Sequence, residues 1–256
     1  MQPKIIGKEN KFSSSDFAAA RLYEDENVLV IDKPAGVNSD DFEKRVHRLD
    51  KDTSGILLIA KNDKSLDFLQ EQFKKRKVKK KYLALVVGNL KNKEGVVKED
   101  KSSSSATESR LRDEGGKERE ALFDFANARV IETLLGRSPK DRKKQKVYLP
   151  FEPGAQGKRK AVTEYKVLQR FEKRRYDLIE VKPKTGRKHQ IRVHLSYISH
   201  PLAGDKMYGF KNQPCPEGLK RQFLHASYLK IQLPSGEIKE FKSELPEDLK
   251  KVIKNL

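Results

Sequence analysis

Arg45-Val-His-Arg-Leu-Asp-Lys-Asp-Thr-Ser-Gly55 runs directly into the apolar stretch Ile56-Leu-Leu-Ile-Ala60. A continuous apolar run of that length, bounded by turn residues, predicts a buried β-strand. The polar segment ahead of it sets one carboxylate, Asp50, between the cations Arg48 and Lys51. Cations beside a carboxylate favour its charged form. Such a group can act as a nucleophile or stabilise a developing cation. It can equally be a surface ion pair, which on residue types alone is the commoner case. Thr53, Ser54 and Gly55 suit a tight turn at the strand entrance.

The flanking segments are read from periodicity and punctuation. Asn27–Lys33 is a strand ended by Pro34 and Gly36, and Gly55–Lys61 is the next. A helix follows, with Ser65 as N-cap and Leu66, Leu69 and Phe73 at i, i+3 and i+7. Lys74-Lys-Arg-Lys77 falls in its last turn, where cations suit the helix dipole. Lys81–Gly88 is a third strand. From Lys98 to Glu120 the chain has four serines in a row, paired glycines and dense mixed charge, so a mobile insert is expected at 98–120. A basic stretch from Gly136 to Lys160 carries Arg137, Lys143 and Lys144. Its lopsided charge favours a phosphate-contacting loop over a merely solvated one.

Val162–Leu168 and Tyr176–Val181 are strand-like. Ile191, Leu195 and Ile198 predict a helix over His189–Ser199, ended by Pro201. Leu224–Leu233 and Glu237–Lys242 pair through the turn Pro234-Ser-Gly236, and Pro246–Leu256 is a last helix. Strands come singly, in pairs and with helices at irregular intervals. The expectation is therefore an α+β fold with a mixed or antiparallel sheet.

Composition bounds the function. The chain has 256 residues, 56 Lys+Arg against 37 Asp+Glu, and a formal net charge of +19. Such an excess suits a polyanion, nucleic acid first. Charge alone leaves open a basic ribosomal-type protein without chemistry. One cysteine, Cys215, excludes an intrachain disulfide and a cysteine-cluster metal site. Met1–Lys8 has no apolar signal region, and runs such as Ile56–Ala60 and Leu83–Val87 fall far short of the roughly 20 residues that span a bilayer. A soluble, cytoplasmic protein without a membrane partner is expected.

Two more stretches carry chemistry. Lys182-Pro-Lys-Thr-Gly-Arg-Lys-His-Gln-Ile-Arg-Val-His-Leu195 offers Arg187 and Arg192, guanidinium forks suited to carboxylate or phosphate. His189 and His194 lie five apart, which separates them on either a helix or a strand, so no metal site is expected. Lys79-Lys-Lys-Tyr82 sets a tyrosine behind three cations. It reads as an edge-strand aromatic or as a platform for stacking on a base.

At these residues the chain resembles the pseudouridine synthases of the large-subunit-rRNA type, the RluA family. His47-Arg-Leu-Asp-Lys-Asp-Thr-Ser-Gly55 looks like the family signature. Asp32-Lys-Pro-Ala-Gly36, Lys81-Tyr-Leu-Ala84, Gly136–Lys144, Ala161–Tyr165, Thr185–His194 and His200-Pro-Leu-Ala-Gly-Asp205 resemble further family segments. The resemblance implies a catalytic domain with a mixed, largely antiparallel sheet split by an active-site cleft and flanked by helices. It implies isomerisation of uridine in structured RNA, ribosomal or transfer, with no metal or organic cofactor; a monomer is expected. Carried over, Asp50 attacks the sugar, Arg48 enters the space left by the flipped nucleotide, Tyr82 packs on uracil and handles the C5 proton, and Arg192 pairs with Asp50. Arg187 supports its loop or meets phosphate. His47 and Thr53, with Arg137, Lys143 and Lys144, complete the expected RNA contacts.

The chemistry suits these residue types. Breaking a C–N glycosidic bond builds positive charge on the sugar, which a carboxylate captures. The base leaves with negative charge, which cations accommodate. A non-catalytic RNA chaperone would have no need of that carboxylate. A glycoside hydrolase using Asp50 and Asp52 would have its two carboxylates only two residues apart. Two departures from the family pattern stand out. About 26 residues precede the first strand, too few for the small S4-type RNA-binding domain that members often carry, so one catalytic domain over 1–256 is expected. The span from Gly36 to His47 is also shorter than usual.

Overall fold

A computed structural model of the chain describes residues 20–90 and 129–256. The strands are β1 (Arg21–Glu24), β2 (Val28–Lys33), β3 (Ser54–Ala60), β4 (Lys79–Val87), β5 (Arg129–Arg137), β6 (Gln145–Tyr148), β7 (Arg159–Phe171), β8 (Tyr176–Pro183), β9 (Leu224–Gln232) and β10 (Ile238–Lys242). They form one sheet in the order β1-β2-β3-β9-β4-β8-β7-β5-β6, with β10 paired to β9. Among these pairings only β3 with β9 is parallel. The helices are α1 (Asp63–Lys74), α2 (Gln190–Tyr197) and α3 (Glu247–Lys254). The fold is α+β on a mixed, largely antiparallel sheet. Among the described residues no helix is long and apolar enough to cross a membrane. The expected insert at 98–120 lies outside the described residues.

β3 reads as a continuous apolar run because both its faces are covered. Ile56, Leu58 and Ala60 pack with Val28, Val30, Leu69 and Leu229 on one side. Leu57 and Ile59 pack with Leu29, Ile31, Phe42 and Leu49 on the other. At its start β3 meets β9 over two residues, Ser54 and Gly55. Gly55 has φ +113°, and a Cβ there would lie 2.3 Å from the Ala226 carbonyl oxygen. Only glycine permits that seam. Farther along, the same edge of β3 is taken by Lys44–Val46, through Val46 N–H to Leu58 O and a bridge between Arg45 and Ile59. The chain from His47 to Thr53 is left out of the sheet as a loop, and Asp50 lies midway along it.

Several local readings need correction. The turn before β3 spans Asp50 to Thr53, whose N–H donates to Asp50 O at 3.0 Å. Ser54 and Gly55 already belong to the strand. The N-cap of α1 is Asn62, whose side chain accepts from Ser65 N–H. The Ser65 hydroxyl instead donates to Asn27 Oδ1 at 3.1 Å. α1 ends at Lys74, with Arg76 left-handed at φ 59° and Lys77 N–H returning to Gln72 O. That is the Schellman arrangement, normally built on glycine. The basic stretch 136–160 is not one loop, because β6 divides it. Val147 packs with Leu135, Ala161 and Val193 in a small core of its own. α2 begins at Gln190 and ends at Tyr197, inside the expected span.

Candidate active site

A cavity of about 450 Å³ opens between the His47–Thr53 loop, the C-terminal end of α1, β4 and the loop from β8 into α2. That volume suits a nucleotide-sized occupant. Asp50, Tyr82 and Arg192 all line it, as do His47, Arg48, Thr53, Arg187 and His189. Arg137, Lys143 and Lys144 do not; they lie on the end of β5 and the β5–β6 turn.

The loop bearing Asp50 is fixed through its backbone. Lys33, fully buried at the end of β2, donates from Nζ to Pro34 O and Val37 O at 2.8 Å and to Lys51 O at 3.1 Å. Gly36 N–H also donates to Lys51 O. Ser39 Oγ donates to Leu49 O and accepts from Leu49 N–H. From the other side Arg221 reaches Asp52 O, while its fork holds Asp248 of α3. Thr53 is buried, and its hydroxyl lies 3.4 Å from Gln222 Nε2.

Asp50 does not pair with its sequence neighbours. Arg48 is half exposed at the rim, with its nearest acid oxygen on Asp40 at 4.0 Å. Asp50 Oδ2 instead accepts from Arg192 Nη1 at 3.1 Å, and Oδ1 lies 3.8 Å from His189 Nε2. Arg192 is aimed by a second carboxylate. Its Nε and Nη2 donate to the two oxygens of buried Asp205 at 2.7 and 2.8 Å. Asp205 Oδ1 also accepts the N–H groups of Met207 and Tyr208. Burial opposes the charged guanidinium, but Asp205 and Asp50 outweigh it and push its pKa further up. Burial likewise opposes the Asp205 carboxylate, and Arg192 holds it below the usual range. The Tyr208 ring lies 5.1 Å beneath the Arg192 guanidinium.

Tyr82 projects from β4 into the cavity. Burial, then the charge of Asp50, push its phenol well above the ordinary tyrosine range, so it is neutral at pH 7. Lys80 lies two residues earlier on the same face of the strand, and burial lowers its ammonium to about 8. Its Nζ sits 5.7 Å from the Phe73 ring centroid. His47 stacks on Phe73 at 4.8 Å and accepts Leu58 N–H at Nε2. Burial, then Lys80, push this imidazole down to about 3, so it forms a neutral wall of the cavity. Arg187 Nε donates to Lys160 O at 3.1 Å. Burial and the like charges of Arg159 and Arg76 lower the Arg187 guanidinium, a crowding of cations that an anion would relieve. Gln190 locks the same loop, accepting from Thr185 Oγ1 and Arg187 N–H and donating to Val162 O and Thr163 Oγ1.

The sequence reading missed Asp205, His189 and Tyr208 as working parts of the site, and Lys33 as the loop's anchor. Asp205 and Lys33 sit inside segments already singled out. A buried aspartate needs a cation, so Asp205 at the end of the otherwise apolar stretch Pro201-Leu-Ala-Gly204 was a usable signal. For Tyr208 there was none.

A family model described as RNA pseudouridylate synthase matches residues 40–197. The ribosomal large subunit pseudouridine synthase D of Borreliella burgdorferi is 33% identical over 263 residues, covering 91% of this chain and 67% of that protein. The ribosomal large subunit pseudouridine synthase C of Vibrio parahaemolyticus is 32% identical over 259 residues, covering 92% and 68%. The solved structure of human RNA Pseudouridylate Synthase Domain Containing 1 superposes with a TM-score of 0.67 at 24% identity, over 91% of this chain and 86% of that one.

Proposed function

The chain belongs to the RNA pseudouridylate synthase family and is an RNA pseudouridine synthase, and from that premise we propose that Asp50 is its nucleophile, Arg192 the partner that orients it, and Tyr82 the platform for uracil. The substrate is a uridine of structured RNA, ribosomal or transfer, and the relatives named for large-subunit rRNA favour the former. The catalytic domain acts as a monomer, in the cytoplasm.

One observation carries the reading. Asp50 offers the cavity a carboxylate with Oδ2 tied to a buried guanidinium and Oδ1 without a hydrogen bond among the described residues. The reaction then follows in order. The C1′–N1 bond breaks, its electron pair leaves with uracil, and Oδ1 captures C1′. The detached base turns against Tyr82 and presents C5. C5 bonds to C1′, the carboxylate is released, the C5 proton leaves and N1 regains one, so atoms balance without a redox partner. Burial and the charge of Asp50 keep the Tyr82 phenol neutral. It therefore handles the C5 proton as a relay, accepting it while giving up its own hydroxyl proton toward N1. A uridine inside folded RNA must first be extruded, and Arg48, exposed at the cavity rim, is suited to fill its place. Arg187, Lys80 and His47 line the cavity around the nucleotide, with Thr53 beneath it. Arg137, Lys143 and Lys144 would meet RNA beyond the cavity.

Replacing Asp50 with Asn tests this. Pseudouridine formation in RNA from a deletion strain is expected to fall by at least about 10⁴-fold, as for other catalytic nucleophiles. RNA binding is retained. Unchanged modification by Asp50→Asn would refute the assignment.

A further inference from the structure

We propose that His189 is a positioning residue for Asp50: its imidazole presents an N–H to Oδ1, and Tyr208 sets the tautomer that makes this possible. The proposal rests on Asp50 being the nucleophile.

The backbone gives the first indication. His189 precedes α2 with φ 54° and ψ 18°, left-handed, and its side chain makes no capping hydrogen bond. Any residue with a Cβ is uncommon there, and histidine is one of the few types that adopt it. Strained conformations of this kind concentrate at active sites. Here the strain delivers the ring to the cavity, with Nδ1 2.7 Å from Tyr208 Oη and Nε2 3.8 Å from Asp50 Oδ1. The two rings meet edge to face at 5.6 Å.

Two arguments favour the proton on Nε2. Tyr208 Oη already accepts the Gln145 N–H at 2.8 Å, and its phenol proton is free to be donated to Nδ1 at 2.7 Å. A bare Nε2 lone pair would also face the carboxylate oxygen of Asp50, which is repulsive. Burial lowers the imidazole pKa and raises the phenol to about 12, so both are neutral near pH 7. The charged and titratable groups facing the imidazole are Asp50, Arg192, Lys188, Asp205 and Tyr208.

The division of labour follows from the distances. Arg192 holds Oδ2 at hydrogen-bond length, which fixes one oxygen but leaves the carboxylate free to swing about it. An N–H at 3.8 Å is too far for a hydrogen bond. It is near enough to bias Oδ1 electrostatically without tying up its lone pairs. Oδ1 is thereby kept oriented and still available to C1′.

The test uses the full-length enzyme on RNA from a deletion strain, with His189→Asn, Tyr208→Phe and the double variant. Asparagine tolerates the left-handed backbone, and phenylalanine keeps the ring beneath Arg192. Each single variant is expected to lower kcat about 10- to 100-fold with KM within twofold, because the loss is one of alignment. The double variant should lose no more than His189→Asn alone, since the pair acts as one unit. Nitrogen NMR of the imidazole should show the Nε2–H tautomer at pH 7. In Tyr208→Phe the ring should protonate more readily and add an acidic limb to the rate profile. An Nδ1–H tautomer, an imidazolium at pH 7, or kcat for His189→Asn within twofold of wild type would overturn the proposal. Failure of the underlying reading looks different: Asp50→Asn would go on modifying RNA whatever the tautomer.

Discussion

The Arg192 guanidinium faces two aspartates whose surroundings differ. The Asp205 side chain is fully buried, and the Asp50 side chain keeps 16% of its surface exposed to the cavity. Asp205 takes two guanidinium nitrogens and two backbone N–H groups, so it serves the fold and aims the arginine. Asp50 takes one nitrogen and keeps an oxygen for chemistry. Removing charge at the two positions should therefore separate stability from activity. Asp205→Asn leaves a buried guanidinium without its main counter-charge, which typically costs about 3 kcal/mol, roughly a 10 °C fall in Tm for a chain of this size. It should also slow catalysis, because Arg192 loses its fixed aim. Asp50→Asn should leave Tm within a degree or two of wild type. Thermal melts of the two variants side by side check this, and equal losses would mean the two carboxylates are not divided in this way.

The Asp50 loop belongs to no strand or helix, so its order depends on side chains reaching in from β2, the segment before β9 and the short turn at Ser39. Lys33 is the centre of that arrangement, with three carbonyl acceptors on one ammonium. Lys33→Met fills the same space and leaves Pro34, Val37 and Lys51 carbonyls without that donor. A loss of about 2 kcal/mol is expected, within the range for buried groups left unsatisfied. Faster amide exchange should be confined to residues near Leu49 and Thr53, and unaltered exchange there would refute the anchoring role. Much of this architecture was readable in advance. β3 announced itself because both faces are buried, and α1 because Leu66, Leu69 and Phe73 share one face. What escaped had weak local signals. β5 and β6 interleave their apolar residues with polar ones beside a strongly basic turn, and their burial depends on Val193 and Ala161 elsewhere in the chain. The α1 cap fell on Asn62 because Ser65 was needed by Asn27. Within the site, the residues of the signature stretches were legible. The tie from Asp50 to Arg192 spans 142 residues and came from the family resemblance, while the contact with His189 is set by packing alone.

Charge and burial also govern how the protein as a whole responds to its solvent. His194 is completely buried beneath β5, with Nε2 3.0 Å from Thr133 Oγ1 and Nδ1 without a partner among the described residues. Burial lowers its pKa to about 4. Unfolded, the same group titrates near 6.5, so between these values the unfolded chain binds a proton that the folded one does not. Its contribution is intact above pH 6.5 and is lost as pH falls toward 4, by about 3 kcal/mol in all. Denaturant titrations at pH 7.5 and 4.5 should show that loss, and His194→Gln should flatten it; an unflattened profile would remove His194 from the account. Binding to RNA follows from the same accounting of charge. The net +19 is not spread evenly, since Arg48, Arg76, Lys80, Lys184, Arg187 and Lys188 all line the cavity. Lys143 and Lys144 stand apart on the β5–β6 turn, and only the reading of that hairpin as an RNA contact connects them to substrate. Each phosphate neutralised releases counterions, steepening the log–log salt dependence by about 0.7 for single strands and 0.9 for duplex. Changing both lysines to glutamine should therefore flatten the slope by roughly 1.5 while Tm stays the same. A slope identical to wild type would confine the RNA footprint to the cavity and its rim, and the hairpin charges would then be no more than a solvated face.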